Sequence, residues 1–570
     1  MLIHIYRQKG ARMGDKLKHQ KWSRWIWVLV IIILIGIGGF YGHKVYRESH
    51  PKLLTDTQIK SNLGIHLSNK LISEQDNLEK NYSQAEKDSK YTTDNMFVKT
   101  NPYKTSPLTA LAIFHTDEAA KVSYTVVGKS SGTSITNSTN KNTKKHRINV
   151  VGLYANTANK VEFTITYKDG RVEKKTVEMQ TQPLPKALAD VNINVKMADK
   201  KQMAIGQNGL TVFTRTTKEP FAIDADGQIR WFSTEYNQHI FKTLKNGHLL
   251  ILRKQDNSKL VYNDLVETNY LGKIYRNYQF SNKTSSTENL KAKNKSDGET
   301  TAIHHDVIEL PNGNLLATVS DGSKFIEDTM VEINRKTGKA ARVIDFKRIF
   351  PMDTYAQYDA TKRSDGKVDW LHQNAINYDK KDNSIIISSR HQDLVMKFNY
   401  KTMQPVWILS GRDKTDWPKK WQKHVLSYAK GTTINGGQHD ARVIAGSQKD
   451  GQETISFYDN NYAVSYGDKK TSGKYSAGRE LKIDLKTMTA KEVRSYGQAL
   501  GEANFTDRIG SNRQLDNGNS LIDFGYLNAK NGDASNIIEV TRDGYQVFNV
   551  ELSNLQSKGY VYRSYRINIS

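Results

Sequence analysis

Three histidines stand at the same position of a repeated strand-turn-strand pattern, and residues of this type at this spacing could carry out group transfer. Each lies seven residues before the turn of the hairpin that it opens, and the three are His304, His372 and His439. Imidazole changes its charge near neutral pH, so equivalent histidines on neighbouring strands could supply a nucleophile and a proton donor. Since one histidine at a strand start is more often an ordinary hydrogen-bonded residue, the repetition is what favours chemistry.

The second hairpin brings further polar side chains to its histidine. Its sequence is "HQNAINYDKKDNSIIISSR", with a turn centred near Lys381. Folding over that turn places His372 across from Arg390 and Asn374 across from Ser388, within a cross-strand distance of about 5 Å. Because a guanidinium recognises anionic groups, the pair of His372 and Arg390 predicts an anionic substrate.

The third hairpin could hold its histidine in one tautomer. The segment "HDARVIAGSQKDGQETISFYDN" begins on His439 and closes on Asp459 and Asn460. Either closing side chain could accept the imidazole N–H and leave the other ring nitrogen free to attack. This arrangement makes His439 the candidate nucleophile.

Alternation of side chains along a strand should separate these histidines from their neighbours. Successive residues of a strand point to opposite faces. The residues predicted to face away from the side of His304 and His439 are His305, Asp306 and Asp440.

Three histidines could also bind zinc or copper, so a metal site is the alternative to group transfer. Metal sites usually add a carboxylate or an open water position, and a guanidinium beside the cluster would repel a cation. The sequence therefore predicts no metal and no other cofactor. The chain has 0 cysteines, which excludes a disulfide, a thiolate nucleophile and an iron–sulfur cluster.

The strands that must position these residues belong to a repeat. A strand that ends on a polar residue before a turn recurs six times at intervals of about 45 to 85 residues, near Asp224, Asn269, Asn334, Asn399, Asp484 and Thr541. Such a period is typical of a β-propeller, in which the inner strand of every blade lines one central channel. Six repeats predict six blades. A sandwich or an irregular barrel is the structural alternative.

The whole chain after its first hundred residues predicts an all-β protein. Short β-branched runs alternate with Asn-Gly or Asp-Gly turns, and the 570 residues include 38 Gly but only 10 Pro. Alternating segments over residues 99–185 predict a small β-sandwich, followed by the six-bladed propeller over residues 186–570.

The N-terminus predicts a membrane anchor. Residues 25–42, "WIWVLVIIILIGIGGFYG", carry no charge and would span roughly 27 Å as a helix. Seven Lys and Arg residues precede this run, so residues 1–24 should be cytoplasmic and everything after Gly42 extracytoplasmic. Polar residues 43–98 are expected to form a stalk. A cleaved signal peptide is the alternative for the apolar run, and translation could start at Met1 or Met13.

The formal net charge of +25 is interpreted as a solvated surface. The lysines are dispersed, and no zinc-finger, RRM-like or basic-zipper pattern accompanies them. We therefore predict no nucleic-acid partner.

Several ordered motifs resemble the bacterial PAPS-independent arylsulfate sulfotransferases. The segment "NPYKTSPLTALAIFHTD" is similar to the start of that family's N-terminal β-sandwich. Segments similar to its successive propeller blades are "HHDVIELPNGNLL", "DWLHQNAINYDKKDNSIIISSRHQ", "QHDA" with "FYDN", and "KIDLKTMTAKEVRSYG". The resemblance extends over about residues 95–570.

The resemblance implies sulfuryl transfer from a phenolic sulfate ester to a phenolic acceptor. The route is ping-pong, with His439 at the position of the histidine that becomes transiently sulfated. The supporting positions that match are His304, His372, Asn374 and Arg390. Two departures are the lack of the disulfide that some relatives carry and the absence of a secure match for a family hydroxyl, so Ser511 is not included in the site.

The chemistry of the residues agrees with that implication. An aryl sulfate needs positive donors around its sulfuryl oxygens, a neutral nucleophile and a proton source. Our hypothesis is that His439 attacks sulfur, that Arg390 and Asn374 hold the oxygens, and that His304 and His372 stabilise charge or move the phenolic proton. The sequence does not divide the last two roles between the two histidines.

Aromatic side chains and rival functions complete the expectations. Three tryptophans near the catalytic strands could stack on the phenol: Trp370, Trp417 and Trp421.

The rival functions are a non-catalytic surface propeller that binds an anionic polymer or glycan, and an aryl sulfate hydrolase. The physiological donor and acceptor and the oligomeric state are not encoded in these patterns.

Overall fold

The computed structural model describes residues 29–30, 50–255, 261–281, 302–359, 366–527, 533–556 and 559–570. They divide into a large unit, residues 55–349 and 359–570, and a small unit formed by residues 350–358 and the N-terminal residues up to 54. The small unit contains the helix Met352–Ala356, which begins after Pro351. Among the described residues no helix is both long and apolar enough to cross a membrane. The predicted anchor over residues 25–42 lies outside the described residues except for Leu29 and Val30.

The segment expected to be a stalk folds against the body from Thr55 onward. It contains α1 (Asp56–Leu63), β1 (His66–Leu67), α2 (Lys70–Ser73) and α3 (Asp76–Ala85). α1 starts with a capping box formed by Thr55 and Gln58, and β1 pairs with the strand Ile274–Gln279.

Side chains of this segment also reach the rest of the protein. Glu79 forms ion pairs with Arg147 and Lys273 at 2.9 Å each, and Asn62 donates to the carbonyl oxygen of Asp321 at 2.9 Å. Residues 55–98 therefore differ from the free stalk expected from their polar composition. Their polar side chains are satisfied by partners that are distant in sequence.

A six-stranded β-domain follows, at the place of the predicted sandwich. Its strands are β2 (Phe97–Thr100), β3 (Thr109–Val126), β4 (Ile135–Ser138), β5 (Thr143–Val151), β6 (Ala158–Tyr167) and β7 (Val172–Gln180). The N-terminal half of β3 pairs with β2 and β5, and its C-terminal half pairs with β4 and β6. One long strand thus organises two sets of partners. The short helix α4 (Lys186–Ala189) leads out of this domain.

The remaining strands of the described residues form six further sheets, numbered here in chain order. Sheet 1 has β9 (Gly209–Arg215), β10 (Phe221–Ile223), β11 (Ile229–Phe232) and β33 (Val561–Asn568), and sheet 2 has β12 (Asn237–Thr243), β13 (Leu249–Arg253), β14 (Asp264–Thr268) and β15 (Ile274–Gln279) with β1 at its edge. Sheet 3 has β16 (Ile303–Glu309), β17 (Leu315–Val319), β18 (Thr329–Ile333) and β19 (Ala340–Asp345), and sheet 4 has β20 (Gln373–Asp379), β21 (Ser384–Ser389), β22 (Leu394–Asn399) and β23 (Pro405–Ser410).

The last two sheets each have five strands. Sheet 5 has β24 (Ser427–Tyr428), β25 (His439–Val443), β26 (Gln452–Asp459), β27 (Ala477–Asp484) and β28 (Thr489–Tyr496), and sheet 6 has β8 (Asn192–Ala198), β29 (Ser511–Gln514), β30 (Ser520–Leu527), β31 (Ala534–Val540) and β32 (Gln546–Ser553). The remaining helices are α5, the helix Met352–Ala356 already described, and α6 (Lys419–Gln422), with 3-10 turns at Phe346–Arg348, Lys414–Asp416 and Gln498–Asn504. The all-β prediction is confirmed.

One edge strand of each sheet contacts the equivalent strand of the next sheet. The contacts run from β12 to β16, then to β20, β25, β29 and β33, and β9, the partner of β33, contacts β12. The series is therefore closed. The first and the last of these strands complete the closed series of sheets. β33 joins sheet 1 by pairing with β9, and β8 joins sheet 6 by pairing with β32.

The six repeated turns all occur at corresponding places. Each polar residue of the repeat lies at the end of the third strand counted from the edge strand, and its side chain accepts hydrogen bonds from backbone N–H groups of the following turn. Asn334, for example, accepts from Lys336 and Thr337 at 3.0 Å each. The repeat thus encodes one Asx-type or Thr turn per sheet.

The edge strands are bulged where they carry the site. The pairing register shifts between His304 and Val307 in β16, between Gln373 and Ala375 in β20, and after His439 in β25. Positive φ angles accompany these shifts, at +45° for His305 and +49° for His372. Since a bulge inserts an extra residue and re-aims its side chain, strict alternation does not hold at these positions.

Buried ion pairs connect the edge strands. Arg563 of β33 lies 3.2 Å from Asp306 of β16 and 3.7 Å from Asp440 of β25. The other cations around these two carboxylates are Lys242, Arg442 and Arg513. The two aspartates therefore hold neighbouring sheets together.

Candidate active site

His439 is fixed in one tautomer at the start of β25. Its Nδ1 lies 2.7 Å from Oδ1 of Asn460, whose Nδ2 donates to the carbonyl oxygens of Thr506 and Ile509 at 2.9 and 2.8 Å. The amide orientation leaves Oδ1 as an acceptor, so Nδ1 of His439 carries the proton. Burial, helped by Arg390, lowers the pKa of His439 well below its ordinary value. The ring is therefore neutral, with its lone pair on Nε2.

The second ring nitrogen of His439, Nε2, accepts a hydrogen bond from a strained backbone turn. The N–H of Ile509 points at Nε2 over 3.3 Å, a long contact, and Ile509 has φ +54°. A β-branched residue rarely adopts this conformation, which costs on the order of 1–3 kcal/mol where the surroundings impose it. The structure thus holds a backbone donor next to the nitrogen that could attack.

Arg390 supplies positive charge beside this histidine. Its Nη2 donates to the carbonyl oxygen of Asp507 at 3.1 Å, its Nε has no hydrogen-bond partner, and no carboxylate of the described residues pairs with it. Burial lowers the pKa of Arg390, with a further contribution from Arg508. A half-buried guanidinium that pairs with no carboxylate is suited to an anionic ligand.

His372 is held by one buried and one half-buried carboxylate, those of Asp369 and Glu327. Its Nδ1 lies 2.7 Å from Oδ2 of Asp369 and 2.8 Å from Oε2 of Glu327. Burial alone would lower the pKa of His372, but Glu327 and Asp369 outweigh it and raise the pKa to about 10. At neutral pH His372 is therefore a cation, whereas His439 is neutral.

The predicted facing of His372 and Arg390 is confirmed. The N–H of Arg390 donates to the carbonyl oxygen of His372 at 3.1 Å. The predicted facing of Asn374 and Ser388 is wrong by one residue, because the bulge leaves Ala375 opposite Ser388.

Asn374 is fully buried. Its Nδ2 donates to the carbonyl oxygen of Gln438 at 2.8 Å, and its Oδ1 has no partner. This contact connects Asn374 to the residue that precedes His439, which makes it a positioning contact across two sheets.

His304 lies in a cluster of imidazoles. Its Nδ1 is 2.8 Å from Nδ1 of His305, and its Nε2 has no hydrogen-bond partner. The ring of His305 also lies 5.0 Å from that of His239 and 4.8 Å from that of His372. Burial lowers the pKa of His304 and that of His305. The prediction that His305 faces away is wrong, because its positive φ turns the ring into the cluster.

A tyrosine from the last strand joins these histidines. The ring of Tyr562 lies 4.1 Å from His239, 6.0 Å from His305 and 6.4 Å from His439. The cluster and the candidate nucleophile thus lie around one buried phenol at the centre of the closed series of sheets.

The three tryptophans expected at the substrate are buried. Trp370 is 0% exposed and donates to Asp328 at 2.6 Å, and Trp417 and Trp421 are 4% and 2% exposed with their rings 5.9 Å apart. Their stacking on a phenol stays a prediction. Their indoles pack in the interior.

Three sets of side chains among the described residues have ligand atoms close enough to hold a metal. They are His304, His305 and Glu327; Asp369, His372 and His391; and Asp379, Asp382 and Glu453. The third set surrounds the ammonium of Lys397 at 2.7–2.8 Å, so it already contains a cation. In the first two sets the nitrogens contact neighbouring nitrogens and carboxylates directly.

Some residues of the site were not predicted from the sequence. His239 had a signal, because it lies seven residues before the Asn-Gly turn at Asn246, as His305 does before Asn312. Glu327, Asp369 and Tyr562 lie outside the repeated hairpin starts. The fold alone brings them to the histidines.

Comparisons with known proteins agree with these findings. The model of the family Arylsulfotransferase (ASST) matches residues 195–563, and that of the Arylsulfotransferase Ig-like domain matches residues 97–182. The solved structure of Pseudomonas aeruginosa periplasmic gluconolactonase has 9% identity and a TM-score of 0.32, covering 74% of this chain and 98% of that chain. This value is too low to bear on the fold.

Two curated relatives carry the name arylsulfate sulfotransferase AssT. The protein of Escherichia coli O6:H1 is 26% identical over 339 residues, which are 49% of this chain and 53% of that protein. The protein of Lelliottia amnigena is 24% identical over 511 residues, 70% of this chain and 80% of that protein. The chain thus spans about half the length of the first relative and most of the second. Because the family model covers well over half of it, the chain belongs to the arylsulfotransferase family.

Proposed function

We propose that this protein is an arylsulfate sulfotransferase that moves a sulfuryl group from a phenolic sulfate ester to a phenolic acceptor. The reaction is ping-pong, does not use PAPS and passes through a sulfohistidine at His439. The observation that carries the proposal is a neutral His439, fixed through Nδ1 by Asn460, next to the unpaired guanidinium of Arg390. The family match supports it.

The proposed framework is a six-bladed β-propeller. The six sheets are its blades, and the strands β12, β16, β20, β25, β29 and β33 line the channel. The closed series of contacts supports this architecture. It explains why residues from separate hairpins converge on one site.

In the first half-reaction, Nε2 of His439 attacks the sulfur of the donor. The N–S bond forms while the bond from sulfur to the phenolic oxygen breaks, and the electron pair of that bond leaves with the phenolate. Arg390 binds the sulfuryl oxygens, where negative charge is held during transfer. The proton stays on Nδ1, which donates it in a hydrogen bond to Oδ1 of Asn460, so the sulfated ring is a cation next to its own anionic group.

His372 is the proton donor in this scheme. Its pKa of about 10 keeps it protonated at neutral pH and close to the pKa of a phenol, which suits transfer in both directions. It protonates the departing phenolate. In the second half-reaction the neutral His372 takes the proton of the acceptor phenol, whose oxygen attacks sulfur as the N–S bond breaks.

The other residues of the site support these steps. His304 uses its unpaired Nε2 to stabilise charge on the substrate, and Asn374 positions the backbone before His439. Glu327 and Asp369 keep His372 protonated. No cofactor takes part, and turnover is expected to be unchanged after dialysis against a chelator; a loss restored by a divalent metal would assign the histidine sets to metal binding instead.

The proposed location is the cell membrane. Residues 25–42 form a single-pass anchor, with residues 1–24 in the cytoplasm and the catalytic domain extracytoplasmic. The uncharged run after seven basic residues supports this orientation.

The test is release of 4-nitrophenol from 4-nitrophenyl sulfate by the detergent-purified full chain, with and without phenol. Release should depend on phenol and vanish in His439→Asn, while His66→Asn, a change at an exposed histidine of β1, should behave as wild type. Release that does not respond to phenol would indicate a hydrolase. No turnover with any aryl donor, together with retained binding in His439→Asn, would indicate a binding module.

A further inference from the structure

The loop between β26 and β27 is held beside the site by hydrogen bonds to one carboxylate, that of Asp393. Four successive backbone N–H groups of this loop, those of residues 464–467, converge on Oδ2 of Asp393 at 2.9, 2.7, 2.8 and 2.9 Å. Such a nest of N–H groups binds anions, and here a side chain of the protein fills it. The position of the loop is therefore determined by Asp393.

Asp393 also belongs to the catalytic framework. It lies in the turn between β21 and β22 that carries Arg390, and its Oδ1 accepts the N–H of Gly437 at 2.6 Å, two residues before His439. A single carboxylate thus joins the turn of Arg390, the segment before His439 and the loop. Its φ of +46° directs the side chain into this position.

The loop presents an aromatic side chain to the guanidinium. The ring of Tyr462 has its centroid 5.8 Å from the guanidinium carbon of Arg390, and the residue is 40% exposed. Its backbone is packed closely on Gly436, where an added Cβ would lie 3.0 Å from neighbouring backbone atoms. Tyr462 is therefore both accessible and held in place.

Exposure distinguishes Tyr462 from the other aromatic residues. Among the described residues the most exposed tyrosines are Tyr275, Tyr462 and Tyr545, at 36%, 40% and 72%. Of these, Tyr462 is the one beside Arg390. The three tryptophans near the catalytic strands offer no open face.

We propose that Tyr462 is a specificity-determining residue whose ring forms the wall on which the aryl group stacks while Arg390 holds the sulfuryl group, and that Asp393 is the positioning residue that fixes this wall. The inference rests on the proposed function and names the recognition of its substrate class. An aryl sulfate joins an anionic head to a flat ring through one oxygen. A guanidinium with an accessible ring beside it matches both parts.

The first test separates ring recognition from anion recognition in the full chain. Tyr462→Ala should raise the KM for 4-nitrophenyl sulfate and weaken binding of 4-nitrophenol by roughly 3- to 10-fold, the range expected for one aromatic contact. Inorganic sulfate, which has no ring, should inhibit or bind as in wild type. Tyr462→Phe should keep aryl binding, and Tyr545→Ala is the matched exposed control.

Equal weakening of sulfate and of the aryl ligands in Tyr462→Ala would overturn the proposal, as would unchanged binding of both. The ligand-binding measurement needs no turnover. A protein that fails to transfer sulfuryl groups but still shows this difference would therefore contradict the proposed function and not the aryl wall.

The second test concerns Asp393. In Asp393→Asn one acceptor oxygen becomes an N–H donor, so the amides of residues 464–467 should exchange hydrogen faster while those of the β22 core remain protected. The aryl KM should rise as in Tyr462→Ala, with the inhibition by sulfate preserved. Unchanged exchange in residues 464–467, or a rise in KM without faster exchange, would rule out the positioning role.

Discussion

At the scale of single residues, the site consists of two histidines with opposite protonation. Burial and the charge of Arg390 keep His439 neutral while Asn460 fixes its tautomer, and Glu327 with Asp369 keeps His372 protonated. One neutral nucleophile and one acid are the pair that sulfuryl transfer between phenols requires.

The protonation of His372 predicts a pH dependence. Because the pKa of His372 is raised to about 10, its protonated fraction falls as pH rises through about 10, and the rate of phenol release from phenyl sulfate should fall with it. Glu327→Gln removes one of the charges that raise this pKa, so the alkaline limb should move to lower pH. The measurement is single-turnover release of phenol from phenyl sulfate, without an acceptor, as a function of pH.

The nitro group offers a control for that measurement. 4-Nitrophenolate is a better leaving group and needs less protonation, so the same limb should be weaker with 4-nitrophenyl sulfate. If the rate falls equally at alkaline pH for both donors and the fall does not move in Glu327→Gln, the titrating group is not His372.

The contact between Asn460 and His439 predicts a loss of rate. Asn460→Ala removes the acceptor that fixes the tautomer, so the attacking nitrogen is no longer preorganised and the rate of the first half-reaction should fall roughly 10²-fold. The rate of the first half-reaction is measured from the burst of phenol released before steady turnover. Asn461→Ala, at the next residue, is the comparison, and an equal loss in both would indicate a disturbed loop.

How far the sequence predicts the site depends on where each residue lies. His372 and Arg390 share a hairpin, so counting over its turn pairs them, whereas for His439 the same counting leaves Asp459 and Asn460 as alternatives, of which the structure has Asn460. Glu327 could not be found this way, because its contact with His372 crosses between sheets.

At the scale of elements, a repeated turn organises the sheets. The six polar residues at the strand ends, on which the prediction of six blades rests, each accept hydrogen bonds within their own turn. The bulges at His305 and Asn374 carry no such local signature, since the packing of neighbouring sheets decides them. The alternation argument therefore failed at His305.

Buried lysines within the sheets predict an effect on stability. Lys397 of β22 is fully buried between the carboxylates of Asp379, Asp382 and Glu453. Lys397→Ala would leave these charges uncompensated and should lower the free energy of unfolding by about 3–5 kcal/mol. Urea denaturation measures the change, with the exposed Lys401→Ala as control; a difference below about 1 kcal/mol would show that the charges are solvated.

At the scale of the whole molecule, strands from both ends of the domain close the series of sheets. β8 completes sheet 6 and β33 completes sheet 1. The sequence predicted six repeats. It did not predict that β8 would pair with β32 or that β33 would pair with β9, because neither β8 nor β33 belongs to a complete local hairpin. The helices of residues 55–85 were likewise mistaken for a stalk, since their partners are remote in sequence.

This closure predicts that the last strand is needed for folding. Deleting residues 561–570 removes β33 with Tyr562 and Arg563 and exposes the edge of β9, so the product should aggregate or unfold without cooperativity. Calorimetry and size-exclusion chromatography test it, with Ser570 alone deleted as control. A soluble, cooperatively unfolding product would show that the series need not be closed.

The central claim concerns the covalent intermediate, and one measurement addresses it directly. The full chain is incubated with 4-nitrophenyl sulfate without acceptor, quenched at alkaline pH and analysed by peptide mass spectrometry. We predict one SO₃ group on the peptide that contains His439, removed when phenol is added and absent in His439→Asn. Steady turnover without this adduct, or an adduct on another residue, would contradict the account.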